Sequence, residues 1–330
     1  MSIARPAPAL PADLPVSSIA LGCWPMAGIT SIGTSPEQSE ATLLAAVEAG
    51  VTHFDAAHAY GYDGEVERMI GRTLGPHRDR ISVATKGGLV WHERDPQRPD
   101  AKRAQSRDGR PETLRRQCDE SLDRLGWDNV DVYYLHAPDP EVCISDSAGA
   151  IAELIAAGKA RYAGVSNFTT REQYDAFAAE CPITLDQQPW NLLQRDAESG
   201  RVEFGQFHGA AMVAYWPLMK GLLAGKLGRD HKFDPKDSRQ HYSVFREPNW
   251  SRTHDLLDRL RSLAASHRCT LVQLVLAATI RQPFLRGALV GAKRPGQITE
   301  TAAAMHLDLP DAVFDEIDAA IQVRGPIVEV

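Results

Sequence analysis

THFDAAHAYG, residues 52–61, is a short apolar run that breaks off at an ionisable residue, Asp55, and then reaches Tyr60. ISVATKGG (81–88) does the same at Lys86, and VDVYYLHAPD (130–139) does so at His136. A buried run of β-formers that stops at a polar residue is how a parallel barrel presents chemistry, because the C-terminal strand ends share one face. The four side chains are also complementary. A lysine charge lowers a neighbouring tyrosine from its usual pKa of about 10, an aspartate holds the lysine, and a histidine adds a donor that titrates near neutrality.

Working outward from this stretch, strand-like and helix-like segments alternate. SIALGCW is the first strand, and a helix over 35–48 leads to VTHFDAA. EVERMIGRTLG is a helix closing at Gly75, before the strand ISVATK. RPETLRRQCDESLDRLG is an amphipathic helix with Pro111 near its start and Gly126 at its end. VDVYYLH, ARYAGVSN, ITLDQQ, AMVAYWPL and LRGALVGA supply five further strands. Helices are read over DSAGAIAELIAAGK, TTREQYDAFAAE and 295–305, and the connection into AMVAYWPL runs through 199–208. Eight strands alternating with helices predict an α/β fold, a (β/α)8 TIM barrel, rather than an open sheet. No GxGxxG opens a helix after a strand, so a Rossmann cofactor site is not supported. Two polar segments, 90–110 and 219–250, interrupt the alternation after strand ends and are expected as long loops at the C-terminal face.

The chain has 330 residues, 43% of them hydrophobic, and a formal charge of −7 with a pI near 5.9. That length suits one barrel domain over 15–330, preceded by a Pro/Ala-rich stretch, 1–14, read as a loose arm without the apolar core of a signal peptide. The acidic balance argues against a nucleic-acid partner. No apolar stretch has the length of a membrane helix. Five scattered cysteines with no CxxC pair suit a reduced, cytoplasmic protein rather than a disulfide or zinc framework.

Taken singly, Asp55 reads equally well as a turn aspartate. A lysine or histidine at a buried strand end is costlier to explain without a partner. His53 shares a strand face with Asp55 and, with His136, allows a metal-hydrolase reading. No second strand-borne His–x–His supports it, Lys86 as an ammonium cannot ligate, and no metal is expected. Trp24 and Trp91 follow the first and third strands and are expected to line a substrate mouth.

DAAHAYG followed by GEVERMIGRTLG resembles the signature DTAxxYGxGxSExxIGxxL of the aldo-keto reductase family, its Ser–Glu pair being read at Gly64–Glu65. VATKGG and YYLHAPD resemble that family's lysine and histidine motifs. GVSNF (164–168), QQPWNLLQR (187–195), AYWPLMKGLLAGK (214–226) and VGAKRPGQITETAAA (290–304) follow in the family order. The resemblance implies an NADPH/NADP+-dependent oxidoreductase acting on a small carbonyl compound, or on a sugar or alcohol in reverse. Tyr60 would be the general acid, tuned by Lys86 and Asp55, with His136 orienting the carbonyl. Ser166, Asn167 and Gln188 would hold the nicotinamide carboxamide, and Tyr215 would stack on its ring. Trp216, Pro217, Leu218, Gly221, Lys226 and Gly291 belong to the segments that would wrap the cofactor. Lys293 and Arg294 would meet the 2′-phosphate, and Gln297 and Glu300 the adenine. Trp190 stands for the family tyrosine, Trp216 for the serine of AYSPL, and Thr301 for an asparagine, departures that bear on cofactor contacts. A second implied reading is an NADPH-binding redox sensor or regulatory subunit of the same barrel family with slow turnover.

Overall fold

In the computed structural model, which describes residues 5–29, 34–95, 102–198, 200–234 and 237–330, eight strands pair side by side and close on themselves. They are β1 (Ile19–Gly22), β2 (His53–Asp55), β3 (Ser82–Gly87), β6 (Val130–Leu135), β7 (Ala160–Ser166), β8 (Ile183–Pro189), β9 (Ala211–Tyr215) and β10 (Leu285–Gly291). The ring order is β1-β10-β9-β8-β7-β6-β3-β2, every pair parallel, so the expected (β/α)8 barrel is the fold. Parallel strands need crossovers, and α1 (Pro36–Glu48), α2 (Glu65–Leu74), α3 (Pro111–Leu125), α4 (Ile144–Ala156), α5 (Arg171–Glu180) and α6 (Arg201–Phe207) supply six of them. The Ser35 hydroxyl accepts from the Gln38 N–H at 3.2 Å and starts α1.

The inward faces of the strands fill the shaft with small and β-branched side chains. Ala20, Ala84, Val132, Leu185, Ala211, Val213 and Leu289 surround one large ring, that of Tyr134. Gly164 sits opposite Tyr134 in the β6–β7 register, and a Cβ there would lie 2.3 Å from that ring, so the shaft admits the tyrosine only because residue 164 is glycine. The outward faces pack on the helices in two further hydrophobic clusters.

Three features depart from the sequence reading. The segment 90–110 is not all loop: β4 (Leu89–Trp91) pairs antiparallel with β5 (Gln105–Arg107) in a hairpin above β3. The segment 219–250 holds three short 3-10 turns at Met219–Gly221, Ser238–His241 and Ser243–Phe245. Two helices, α7 (Asn249–Ser266) and α8 (Leu271–Ile280), have no counterpart among the elements expected from the sequence. The latter, LVQLVLAATI, is apolar on nearly every side and so carries little helical periodicity, and it is buried over most of its length. The chain finishes with α9 (Pro295–Ala302) and α10 (Asp311–Arg324). Residues 1–4 of the arm, 96–101 and 235–236 of the two interruptions, and Ser199 lie outside the described residues. The rest of the arm lies along the N-terminal mouth: Ala7 N–H donates to Pro283 O at 2.7 Å, Leu14 is buried, and Asp13 pairs with Arg161. Beside Asp13, the buried Asp131 accepts from Arg161 at 2.9 Å, from the Val83 N–H at 2.7 Å and from Arg78, which seals this end with ion pairs.

Candidate active site

At the opposite, C-terminal mouth the ends of β2, β3 and β6 bring Asp55, Lys86 and His136 together, and the loop after β2 folds Tyr60 back over them. Lys86 Nζ is fully buried and donates to Asp55 Oδ1 at 2.5 Å and to Ala56 O at 2.7 Å. Its third direction faces the Tyr60 hydroxyl at 3.4 Å, and that hydroxyl lies 3.4 Å from Asp55 Oδ2. Three acceptors around one nitrogen is the coordination of a protonated ammonium. The Tyr60 ring meets Trp24 edge-on at 5.2 Å and His136 at 6.0 Å. Tyr62 points elsewhere: its ring packs on Trp91, and its hydroxyl accepts from the Arg103 N–H.

The expected effect of Lys86 on Tyr60 is not what the surroundings produce. Tyr60 is pushed well above the usual tyrosine value, by burial first and then by the charge of Asp55. Lys86 is itself lowered by burial, against the opposing pull of Asp55. The lysine charge is spent on the short contact to Asp55, and the hydroxyl at 3.4 Å gains too little of it to offset desolvation. His136 is held far below the usual histidine range by burial and by the Lys86 charge, so it is a neutral imidazole, with Nδ1 buried and lacking a partner.

Next to this cluster, Asn167 adopts a left-handed backbone (φ 62°) at the end of β7 and is held through its side chain. Nδ2 donates to His136 O at 2.9 Å and to Ser166 Oγ at 3.0 Å, and Oδ1 accepts from the Tyr215 hydroxyl at 2.8 Å. Ser166, Asn167 and Tyr215 are thus one hydrogen-bonded unit beside His136.

Gln188 does not join it. Its amide donates to Phe168 O, to the Tyr174 hydroxyl and to Asp186 Oδ1, on the outward face of β8 against α5. Its neighbour Gln187 faces inward and donates to Asp55 Oδ1 at 2.8 Å. Side chains alternate along a strand, so of two adjacent glutamines only one can reach the shaft. The signature glutamate is likewise displaced. Glu65 is exposed, whereas Glu67 is fully buried and holds Thr85 Oγ1 at 2.6 Å and Arg124 at 3.0 Å, and Arg124 in turn donates to His58 O. That network braces the loop carrying Tyr60 from outside the barrel.

The segments expected to wrap a cofactor follow β9 and β10. Trp216 takes φ 59° and meets Tyr215 edge-on at 5.0 Å, Pro217 is buried, Leu218 is half-buried, and Gly221 takes φ 90°. Gly291 ends β10 under Pro25, where a Cβ would lie 2.8 Å from Cγ. Gln297 Oε1 accepts from the Lys293 N–H at 2.8 Å, Glu300 lies 3.8 Å from Lys226, and Thr301 is buried with its hydroxyl on Ile298 O. Lys293 is half-buried and Arg294 exposed at the start of α9, and neither has a carboxylate within ion-pairing distance among the described residues. Two uncompensated cations at a helix N-terminus, with an aromatic ring and a held amide nearby, fit a ligand that is anionic at one end and planar at the other. Trp190 is buried away from this region, with its indole N–H on Glu198. Trp24 and Trp91 flank the mouth, and the Trp91 N–H donates to Ala59 O at 3.0 Å.

Residues 18–322 match the family model described as Aldo/keto reductase family. Aldo-keto reductase YhdN of Bacillus subtilis (strain 168) is 34% identical over 285 residues, covering 86% of this chain and 83% of that protein. The NADH-specific methylglyoxal reductase of Escherichia coli (strain K12) is 28% identical over 307 residues, covering 91% of this chain and 93% of its own. Among solved structures, the glycerol dehydrogenase AKR11B4 from Gluconobacter oxydans aligns with a TM-score of 0.88 at 31% identity, over 100% of this chain and 98% of that one.

Proposed function

The chain belongs to the aldo/keto reductase family, and from that premise we propose that it interconverts a small carbonyl compound and its alcohol with NADPH as the preferred partner. The observation that carries this reading is the buried Lys86 ammonium that reaches Asp55 and the Tyr60 hydroxyl at one mouth of the barrel, with a neutral His136 beside them. When bound, the cofactor supplies hydride to the carbonyl carbon or takes it back from the alcohol.

The side chains do the rest. Tyr60 gives its hydroxyl proton to the carbonyl oxygen. Its raised pKa keeps that proton in place at neutral pH. As the proton leaves, the oxygen gains charge, and Lys86 answers it across 3.4 Å. His136, neutral, donates an N–H to the carbonyl oxygen and fixes its direction. Asp55 positions Lys86, and Gln187 positions Asp55.

Ser166 and Asn167 offer amide and hydroxyl groups for a carboxamide, and Tyr215 a ring face for the nicotinamide. Lys293 and Arg294 supply a point charge and a planar fork for the 2′-phosphate. NADPH preference rests on that pair, and a relative named for NADH makes it the part to test separately. The experiment is a panel of aldehydes and ketones with each cofactor in turn, its consumption followed by absorbance. Turnover with NADPH ahead of NADH is expected. No turnover on any carbonyl would sink the reading, and equal use of both cofactors would sink the phosphate assignment.

A further inference from the structure

A second set of cations stands at the rim of the same opening, and the chemistry above uses none of it. Lys102, on the return arm of the β4–β5 hairpin, lies between two rings, its Nζ 5.7 Å from the Trp24 centroid and 5.3 Å from that of Trp91. Trp24 is the ring that meets Tyr60 edge-on. Lys220, in the turn after β9, has a left-handed backbone (φ 52°), and its Nζ lies 3.6 Å from the Trp216 centroid and 4.5 Å from that of Tyr242. Trp216 in turn abuts Tyr215. β3 and β9 are four places apart in a ring of eight, so the two lysines hang from opposite sides of one mouth.

Neither lysine has a carboxylate partner among the described residues. Arg103, which stacks on Tyr62 with its Nε buried and unpaired, has none either. Arg239, also close to Lys220, is different, because Asp237 grips it at 2.6 Å. Lys220 is lowered to about 8, by burial first and then by the like charges of Lys102 and Arg239. The whole chain carries −7, which makes an uncompensated positive rim a local feature and not a general background. Ring faces offset part of the lost hydration of an ammonium. An anion between them would also relieve the repulsion between the two.

We propose that the substrate carries an anionic group, a phosphate monoester or a carboxylate, a few carbons from its carbonyl, and that Lys102 and Lys220 clamp this group while Tyr60 faces the carbonyl. The inference rests on the reductase reading above and deepens it to a substrate class.

The test uses matched pairs of probes, glyceraldehyde against its phosphate ester and butanal against succinic semialdehyde, with cofactor saturating and kcat/KM read at low and high salt. The anionic member of at least one pair should be preferred about tenfold or more, with the preference shrinking as salt rises. K102M and K220M should each cut that preference about tenfold, while K102R and K220R keep most of it. Cofactor affinity, titrated by quenching of tryptophan fluorescence, should stay within about twofold in all four variants. Equal kcat/KM for neutral and anionic probes overturns the proposal. So does a K220M that weakens the cofactor and leaves the preference intact, which would assign this lysine to cofactor phosphate. Absence of turnover on every probe, neutral and anionic alike, removes the reductase reading and this one with it.

Discussion

Tyr60 and Tyr62 are two positions apart and differ in everything around them. One is desolvated over Asp55 and Lys86, and the other packs on Trp91 and Arg103. Tyr60→Phe keeps the ring and removes the proton, so kcat should fall about 100-fold or more while cofactor affinity is unchanged. Near-normal turnover in that variant would transfer the role to another group. In the proposed mechanism the raised Tyr60 pKa sets the sign of the pH response. Reduction needs the protonated hydroxyl, which persists into alkaline pH. Oxidation needs the proton gone. Between about pH 6 and about pH 9 the reductive kcat should stay flat and the oxidative kcat climb, and an oxidative profile that falls with pH would contradict the assigned direction. At the proposed phosphate end, Arg294→Ala should weaken NADPH by about ten- to a hundredfold, the worth of one charge-assisted contact, and leave NADH almost untouched. Fluorescence titration of both cofactors decides it. Asp55, Lys86 and His136 were legible in the sequence because each ends an apolar run at a cost only a partner can offset, and Tyr60 because it closes the loop after one such run. Gln187 was not, because two adjacent glutamines look alike until the register of β8 is known, and that register shifts between Ala163 and Gly164 on the neighbouring strand.

Among the elements, β8 and α5 enclose a carboxylate with no cation among the described residues in hydrogen-bonding reach. Asp186 is buried, accepts from the Tyr174 hydroxyl at 2.7 Å and from Gln188 at 2.8 Å, and is pushed up to about 7, chiefly by burial. A carboxyl whose folded value lies above its unfolded one stabilises the fold fully below the unfolded value of about 4 and loses that contribution as pH rises through about 7. Thermal melts at about pH 5 and about pH 8 should therefore show the wild type losing Tm between them and Asp186→Asn losing less, the slope following the linkage relation. Parallel losses in both proteins would show that another group sets the slope. Most strands and amphipathic helices could be read from their periods of two and 3.6 residues, although α7, which buries Trp250, Leu257, Leu260 and Ala264 on one face, was not among them. The β4–β5 hairpin could not, since only Trp91 and its neighbours hint at pairing inside a polar stretch. α8 escaped for the opposite reason, an apolar surface too complete to show a face.

At the scale of the whole molecule, the two ends of the barrel divide the labour. Asp131 at the N-terminal end holds Arg78, Arg161 and a strand N–H, and none of these groups is a hydrogen-bond partner of Tyr60 or Asn167 among the described residues. Asp131→Ala should cost about 1–3 kcal/mol, because the buried Val83 N–H loses its acceptor while the half-exposed Arg78 and Arg161 keep solvent and other partners, Arg161 its pair with Asp13. At a temperature where the variant is folded, its KM and cofactor affinity should match the wild type. A variant with normal stability and altered KM would refute that division. The closed ring itself was readable because eight interrupted strands leave few alternatives to a barrel. The packing of its shaft was not, because the match of Tyr134 to Gly164 is a relation between residues far apart in the chain. That plug has a consequence for proton supply. With Tyr134 and its aliphatic neighbours filling the bore, the described shaft below Tyr60 is packed with apolar side chains, which disfavour a proton path from that side. In the proposed mechanism each proton that Tyr60 gives up would be replaced through the same doorway by which substrate arrives and product departs, so the site would be recharged only when that doorway is clear.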